Sequence, residues 1–541
     1  MQHRKRTALC KVVLPALLLV ALLAGCAGRN AQPGETKELA LLILHTNDTH
    51  SYLAGLDARG NACFAEDGCR GGMGRIAAAI RTAKAKSDNV LALDAGDQFQ
   101  GTLFYSVNKW PMLSAIDAHM PYDAMTLGNH EFDEGCGELA RFLDKASFPV
   151  LAANLAPEAG CPLHNSTVAP YLIRTLRGTR VGIVGLANDE ARELSAACPD
   201  THFTGAAETL SRAVRELEAQ GVRHIIAVTH LGLPADRELA RSVEGVDVIV
   251  GGHSHSYLGP DSEEGPYPIV ERSPEGHPVL VVTAKRAAQY LGELQVRFDA
   301  NGIPTSWSGG PRELEPEDPV APDIRALVQG YAKKLDSYRQ TVVGSQNNVF
   351  PDGMDACRAG DCLGGMVTAD AMLEFARPFG ASVALCNGGG IRAALPVGTL
   401  TRGDVLTMHP FGNIMVVREY TGEQLWQALE HGVAAENATG PRLLQPAGLR
   451  YTVDATRPAG SRVLAVETID AAGKASPLRR EARYGVMVSD YLSKGGDGYA
   501  MLKNGRVLPS PEPVDAEIVE AYLSRHSPLP MPKSGRIVRV R

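Results

Sequence analysis

Five times along this chain, a short run of apolar residues stops at a cluster of side chains able to hold a cation. Residues 39–44 lead into His45-Thr46-Asn47-Asp48-Thr49-His50, and residues 90–93 into Asp94-Ala95-Gly96-Asp97. Residues 124–127 precede Gly128-Asn129-His130-Glu131-Phe132-Asp133, and 225–228 precede Thr229-His230-Leu231-Gly232. Residues 246–250 precede Gly251-Gly252-His253-Ser254-His255. A run that is apolar on both faces suits a strand buried in the middle of a sheet. Amphipathic helical stretches at 74–86 and 207–220 lie between these runs, the second stopped by Gly221. Strand, loop, helix, strand is the α/β pattern, and its ligands gather at the carboxyl ends of the strands. All five clusters are placed there.

Taken singly, each cluster is ordinary. A lone His at a strand end is usually a hydrogen-bonded core or surface residue, and Asp97 after Gly96 or Asn129 after Gly128 reads as a turn. Together they offer seven candidate ligands: Asp48, His50, Asp97, Asn129, His230, His253 and His255. Imidazoles and carboxylates suit borderline first-row ions such as zinc, manganese or cobalt. Seven donors exceed the needs of one ion and suit two that share a carboxylate. Two ions about 3.5–4 Å apart clamp both ends of an in-line displacement at phosphorus. The charge balance fits an anionic substrate held locally. The chain carries 54 Lys+Arg against 61 Asp+Glu, and the four cations before Cys26 face no acid. Beyond them 50 cations meet 61 acids, a balance of −11. So acidic a surface excludes non-specific nucleic-acid binding. Two divalent ions against two aspartates still leave a positive site for a phosphate. With 44% hydrophobic and 21% charged residues, the chain is no disordered, coiled-coil or collagen-like sequence.

The first segment is an address. Arg4, Lys5 and Arg6 precede an apolar run over 12–24, too short to span a bilayer and stay there. Its end, Leu23-Ala24-Gly25-Cys26, resembles a bacterial lipoprotein box, which implies acylation of Cys26 and a membrane anchor. Ala27 follows, not the Asp that retains many Gram-negative lipoproteins at the inner membrane. The expected location is therefore exported, periplasmic or at the cell surface, with the outer membrane favoured in a Gram-negative cell. Export gives the remaining cysteines a disulfide-permissive setting. Cys63/Cys69 and Cys357/Cys362 are spaced to close small Gly- and Asp-rich loops. Cys161/Cys198 is a third expected pair, with Cys136 and Cys386 left over.

The expected organisation is a leader over 1–25, a lipidated tether over 26–38, a first α/β unit over 39–320, a connecting helix over 321–340 and a second α/β unit over 341–541. The helix carries Ile324, Leu327, Val328, Tyr331 and Leu335 on one face and follows the acidic, proline-rich Pro316-Glu317-Asp318-Pro319.

The ordered clusters resemble the calcineurin-like metallophosphoesterase superfamily. Nearly the whole chain after the tether resembles the bacterial 5′-nucleotidase / UDP-sugar hydrolase family, to which the animal ecto-5′-nucleotidase is related. The resemblance implies an N-terminal metallophosphoesterase β-sandwich flanked by helices and a C-terminal α/β substrate-binding domain. It implies two divalent ions, one held by Asp48, His50, Asp97 and His255, the other by Asp97, Asn129, His230 and His253. His130, paired with Asp133, matches the family's catalytic dyad, which stabilises charge at the transferred phosphate or assists the leaving group. In the second unit, Cys386-Asn387-Gly388-Gly389-Gly390-Ile391-Arg392 matches an anion-facing glycine loop, with Asn387 and Arg392 toward substrate. Arg358, inside the Cys357/Cys362 loop, sits where a relative has another substrate arginine. Phe411 and Tyr491 match two rings that clamp a nucleobase, Asp497 a carboxylate for the ribose hydroxyls, and Asn413 a group at the base edge. Tyr491 stands where ecto-5′-nucleotidase has Phe. The implied activity is hydrolysis of nucleoside 5′-monophosphates. UDP-sugar or NAD pyrophosphate cleavage and 2′,3′-cyclic nucleotide cleavage are alternatives on the same frame. A lipid-anchored binding or adhesion protein that has lost its chemistry is the alternative from another class. Base preference, metal identity and oligomeric state stay open.

Overall fold

A computed structural model describes residues 38–540 apart from 59, 61 and 196. The expected leader and the expected lipidation site at Cys26 lie outside the described residues. Two six-stranded sheets form the N-terminal half. The first runs in the order Pro304–Glu313, Tyr290–Phe298, Leu39–Thr46, Val90–Asp94, Ala124–Thr126, Val150–Leu151. The second runs Ile269–Arg272, Pro278–Val282, Val248–Gly251, His224–Thr229, Thr179–Leu186, Tyr171–Leu176. All five apolar runs become strands, four of them buried at every position: Val90–Asp94, Ala124–Thr126, His224–Thr229 and Val248–Gly251.

Leu41, Ile43, Leu91 and Leu93 from one sheet meet Val181, Ile183, Ile226 and Val228 from the other in a shared core, which makes the pair a sandwich. Burying one such side chain contributes about 1.5–3 kcal/mol. The outer faces are covered by helices. Met73–Lys86 buries Ile76, Ala77 and Ile80 against one sheet, and Ala206–Ala219 buries Leu210, Val214 and Leu217 against the other. The central strands are parallel and end level. Thr46 lies opposite Asp94, and Gly251 opposite Thr229. The loops that follow are thereby delivered to one edge of the sandwich.

The connecting helix, Pro322–Arg339, starts on a proline and buries Ile324, Val328 and Leu335 in the N-terminal core. Its last turn reaches the second half, where the Arg402 guanidinium lies 3.9 Å from the centre of the Tyr338 ring. That half is built on a five-stranded sheet ordered Leu444–Ala447, Ala381–Asn387, Arg483–Ser489, Met415–Thr421, Arg506–Val507. Helices Leu363–Ala376 and Asp515–Arg525 share one of its cores and Gly422–Gly432 enters the other. None of the helices among the described residues is long and apolar enough to cross a membrane.

Cys63–Cys69 and Cys357–Cys362 are disulfides. The expected third pair is wrong. Cys198 bonds to Cys136, 62 positions away, and Cys161 and Cys386 are free thiols. Cys136 opens the helix Cys136–Leu143, and the Cys198 N–H donates to its sulfur at 3.0 Å. Cys161 is excluded by one step only, with its sulfur 3.7 Å from that of Cys198.

Candidate active site

The strand-end loops bring six of the candidate ligands into two triads. Asp48, His50 and His255 offer ligand atoms within 4.8 Å of one another, and so do Asp97, His230 and His253. Asp97 also groups with His50 and His130, which places its carboxylate between the two triads. Asn129 is fully buried beside them, and its side-chain nitrogen and oxygen have no hydrogen-bond partner. Five of these residues have left-handed backbone: Asp48 (φ 49°), His50 (45°), Asp97 (58°), His253 (70°) and His255 (55°). Non-glycine residues rarely adopt that region, and such strain persists where the surroundings over-determine the loop.

What holds the loops is a buried carboxylate. Glu131 accepts four backbone N–H groups: Gln98 (2.7 Å), Asp97 (3.0 Å), Phe99 (3.3 Å) and Gly128 (2.6 Å). Two turns from different strands are thus tied to one side chain. Gly128 has no alternative here, since a Cβ would fall 2.0 Å from Asp97 Oδ1. Asp97 Oδ1 accepts the His130 N–H at 3.0 Å, and both oxygens of Asp48 accept the His253 N–H at 3.0 Å. Asn47 Nδ2 donates to Asp48 Oδ2 at 2.6 Å.

The imidazoles are aimed by their second nitrogens. His230 Nδ1 donates to the Ala95 carbonyl at 2.6 Å and His50 Nδ1 to the Phe99 carbonyl at 3.2 Å. Each bond leaves Nε2 pointing inward with a free lone pair in the neutral ring. His50 Nε2 then lies 3.0 Å from His255 Nε2, and His230 Nε2 lies 3.0 Å from Asp97 Oδ2 without making a hydrogen bond. Burial pushes His50 and His253 down to about 3, which keeps both rings neutral. Burial would lower His230 as well, but the Asp97 and Asp48 carboxylates outweigh it and raise it to about 10. A divalent ion held by those groups would take the place of that proton. Converging nitrogens, buried carboxylates and an unpartnered buried amide fit divalent ions.

His130 Nδ1 donates to Asp133 Oδ2 at 2.7 Å, and its ring stands 5.3 Å from that of His50. Burial opposes charge on His130, yet the Asp133 and Asp97 carboxylates outweigh it and raise its pKa to about 10.

The C-terminal candidates form a separate group. Asn387 Nδ2 donates to Asp497 Oδ2 at 3.0 Å, and the Tyr491 hydroxyl donates to Asp497 Oδ1 at 2.8 Å. The Arg392 guanidinium lies 5.5 Å from the Phe411 ring centre. Asn413 Nδ2 is engaged by Asp515 at 3.0 Å, and Arg358 keeps a buried Nε without a partner. The Tyr491 ring is 43% exposed, which removes it from the core aromatics.

The two groups do not share a cavity. A cleft of about 320 Å³ at Asp97, Asn129, His130, His253 and His255 is lined from the C-terminal half by Arg418, Asp490, Lys494 and Glu512. None of the seven expected substrate contacts lines it. Asp490 Oδ2 and Lys494 Nζ each lie 3.4 Å from His255 Nδ1. Sequence reasoning assigned no role to these four residues or to Glu131. Glu131 and Lys494 stand inside stretches read for other residues, whereas Arg418, Asp490 and Glu512 carry no local pattern that points to the cleft.

The sandwich and its strand-end cluster define a metal-dependent phosphoester hydrolase. Residues 41–257 match the calcineurin-like phosphoesterase family, and residues 342–504 match the 5′-nucleotidase C-terminal domain. The chain is 34% identical to a snake venom 5′-nucleotidase of Crotalus adamanteus over 97% of its own length and 92% of the relative's. It is also 34% identical to a 5′-nucleotidase of Bos taurus, over 97% and 94%. Among solved structures, a 5′-nucleotidase precursor from Thermus thermophilus is 38% identical with a TM-score of 0.60. A Haemophilus influenzae NAD nucleotidase is 25% identical with a TM-score of 0.73. Both alignments cover 93% of this chain and 100% of the other. The chain belongs to the 5′-nucleotidase family.

Proposed function

We propose that this protein hydrolyses nucleoside 5′-monophosphates to nucleoside and phosphate, as an exported, lipid-anchored enzyme with two divalent ions. The carrying observation is the hydrogen-bonded Asn387–Asp497–Tyr491 group in one half of a chain whose other half holds the ligand triads. Asp48, His50, Asp97 and His255 would hold one ion, and Asp97, Asn129, His230 and His253 the other. When bound, the ions supply Lewis-acid activation of the phosphate and of the attacking water. The chain's own residues do the rest. His130, kept charged by Asp133, stabilises negative charge at the transferred phosphate. Arg392, Arg358 and the 388–390 glycine loop grip the anion, Phe411 and Tyr491 stack on the base, and Asp497 accepts from the ribose. Turnover requires the two groups to meet, so the C-terminal half swings on the connecting helix Pro322–Arg339. The likeness to an NAD nucleotidase supports a second reading, in which the same clamp presents a nucleotide pyrophosphate.

The test is metal removal and add-back. Stripped protein should release no phosphate from AMP. Zinc, manganese or cobalt restored singly should recover it, with UMP, UDP-glucose, NAD and a simple aryl phosphate in the same panel. Activity on the aryl ester with none on any nucleotide would reject the clamp. Bound metal with silence on every substrate would return the chain to a binding role. For the anchor, Cys26→Ala should move the protein from the membrane to the soluble fraction.

A further inference from the structure

Three sulfurs share one spot in the N-terminal half, and only two of them can be bonded at a time. Cys136, Cys161 and Cys198 offer sulfur atoms within 4.8 Å of one another. At rest Cys136 bonds to Cys198, and Cys161 keeps a buried thiol whose sulfur lies 3.7 Å from that of Cys198. One hydroxyl touches all three. Thr201 Oγ1, on a fully buried residue, lies 3.3 Å from Cys136 Sγ, 3.4 Å from Cys161 Sγ and 3.6 Å from Cys198 Sγ.

The two pairings open to Cys198 tie different parts of the fold together. Cys161 and Cys198 belong to one small unit, in which Leu155–Pro157 pairs antiparallel with Thr201–Phe203 and the Glu158 N–H donates to the Asp200 carbonyl at 2.9 Å. Cys136 lies outside it. It opens the helix Cys136–Leu143, just after the hydrogen-bonded His130–Asp133 pair. The resting disulfide is therefore the covalent tie between the small unit and that helix.

We propose that the three cysteines form a disulfide relay, in which the bond at Cys198 passes from Cys136 to Cys161 and releases the helix that follows the His130–Asp133 pair. Such exchange runs by attack of a thiolate on a disulfide sulfur. Cys161 gives its proton to Thr201 Oγ1 as its sulfur bonds to that of Cys198. The Cys136–Cys198 bond breaks with its electron pair on Cys136, which takes the Thr201 proton. One disulfide and one thiol stand on each side of the step, so no oxidant or reductant is consumed. Cys136 is suited to leave. Its sulfur already accepts the Cys198 N–H at 3.0 Å, and it sits at a helix N-terminus, where a thiolate is stabilised. The relay stands or falls independently of the nucleotide reading.

The experiment holds the full folded chain overnight at pH 8 with iodoacetamide and maps its peptides without reduction. Uncatalysed disulfide rearrangement takes minutes to hours. Cys136 is bonded at rest, so label reaches it only after the bond has moved. The expected product carries label on Cys136 and a disulfide between Cys161 and Cys198. Cys161→Ser should abolish labelling of Cys136. Thr201→Val keeps all three sulfurs and should slow that labelling about a hundredfold, as for loss of a positioned proton carrier. Amide hydrogen exchange across residues 137–143 should quicken about tenfold in the labelled product. Absence of label from Cys136 in the unsubstituted chain, or its presence in Cys161→Ser, overturns the relay. Label on Cys386 in step with Cys136 also overturns it, since exchange would then run through unfolding. Equal labelling rates in Thr201→Val overturn the proton route, and unchanged amide protection overturns the release of the helix. If Cys161→Ser does not fold, the unsubstituted chain and Thr201→Val decide the matter by the same peptides.

Discussion

Asp117 is the residue whose burial has least compensation. It ends the helix Leu103–Asp117, is 2% exposed, and neither carboxylate oxygen has a hydrogen-bond partner. Burial first, then repulsion from Asp94 and Glu131, raises its pKa well above the ordinary 3.8. In the unfolded chain the group loses its proton near 3.8, and in the folded chain it keeps it. Stability therefore falls as pH rises from that value toward the folded pKa, by about 1.4 kcal/mol per pH unit over the window. Asp117→Asn removes the titration. Its melting temperature should exceed that of the unsubstituted protein at pH 8 and match or fall below it at pH 4; a difference independent of pH would exclude the assignment. At this scale the sequence was legible where chemistry is carried by short ordered patterns. Asp48, His50, Asp97, His230, His253 and His255 come together in two triads, with Asn129 in the same cleft, because each follows a strand that ends at one edge of the sandwich. Glu131 was visible and unread. Its partners are amides of residues 97–99 and 128, and no side-chain pattern announces an acceptor for backbone groups.

Elements were readable where burial is symmetric. Strands apolar on both faces declare themselves without a period, and the helix expected over 321–340 is observed as Pro322–Arg339. Disulfides were readable only when local. Cys63–Cys69 and Cys357–Cys362 close short loops, whereas Cys136–Cys198 joins a helix start to a loop far along the chain. Proximity of Cys161 and Cys198 in sequence was no guide, since three sulfurs end up in one cluster and only one pair can form. Peptide mapping under non-reducing conditions should recover Cys136 linked to Cys198, with Cys161 alkylated only after unfolding. Burial also pushes the Cys386 thiol up to about 12, so at pH 8 it is a thiol rather than the reactive thiolate. Rapid labelling of Cys386 in the folded protein would contradict its placement.

At the scale of the whole molecule, the sequence points to two groups of candidate residues and cannot say how they face each other. That relation is set by contacts between residues with no shared motif, such as Ser106 Oγ donating to Glu517 at 2.8 Å and Tyr52 Oη donating to the Phe411 carbonyl at 3.1 Å. In the observed arrangement Arg418, Asp490, Lys494 and Glu512 occupy the approach to the ligand triads, so nucleotide turnover should demand movement. Joining Ser106→Cys to Glu517→Cys with a short thiol-reactive linker should hold the halves as seen. AMP turnover should then fall below about a tenth of its value while a small aryl phosphate is still cleaved. Undiminished AMP turnover in the linked protein would show that no such swing is needed. The Glu131 cradle has a consequence of another kind. One buried carboxylate ties the backbone of both loops, so their shape rests on hydrogen bonds within the chain as well as on any ion the loops would hold. A change at Glu131 would therefore be felt at two strand ends at once, in residues 97–99 and at residue 128.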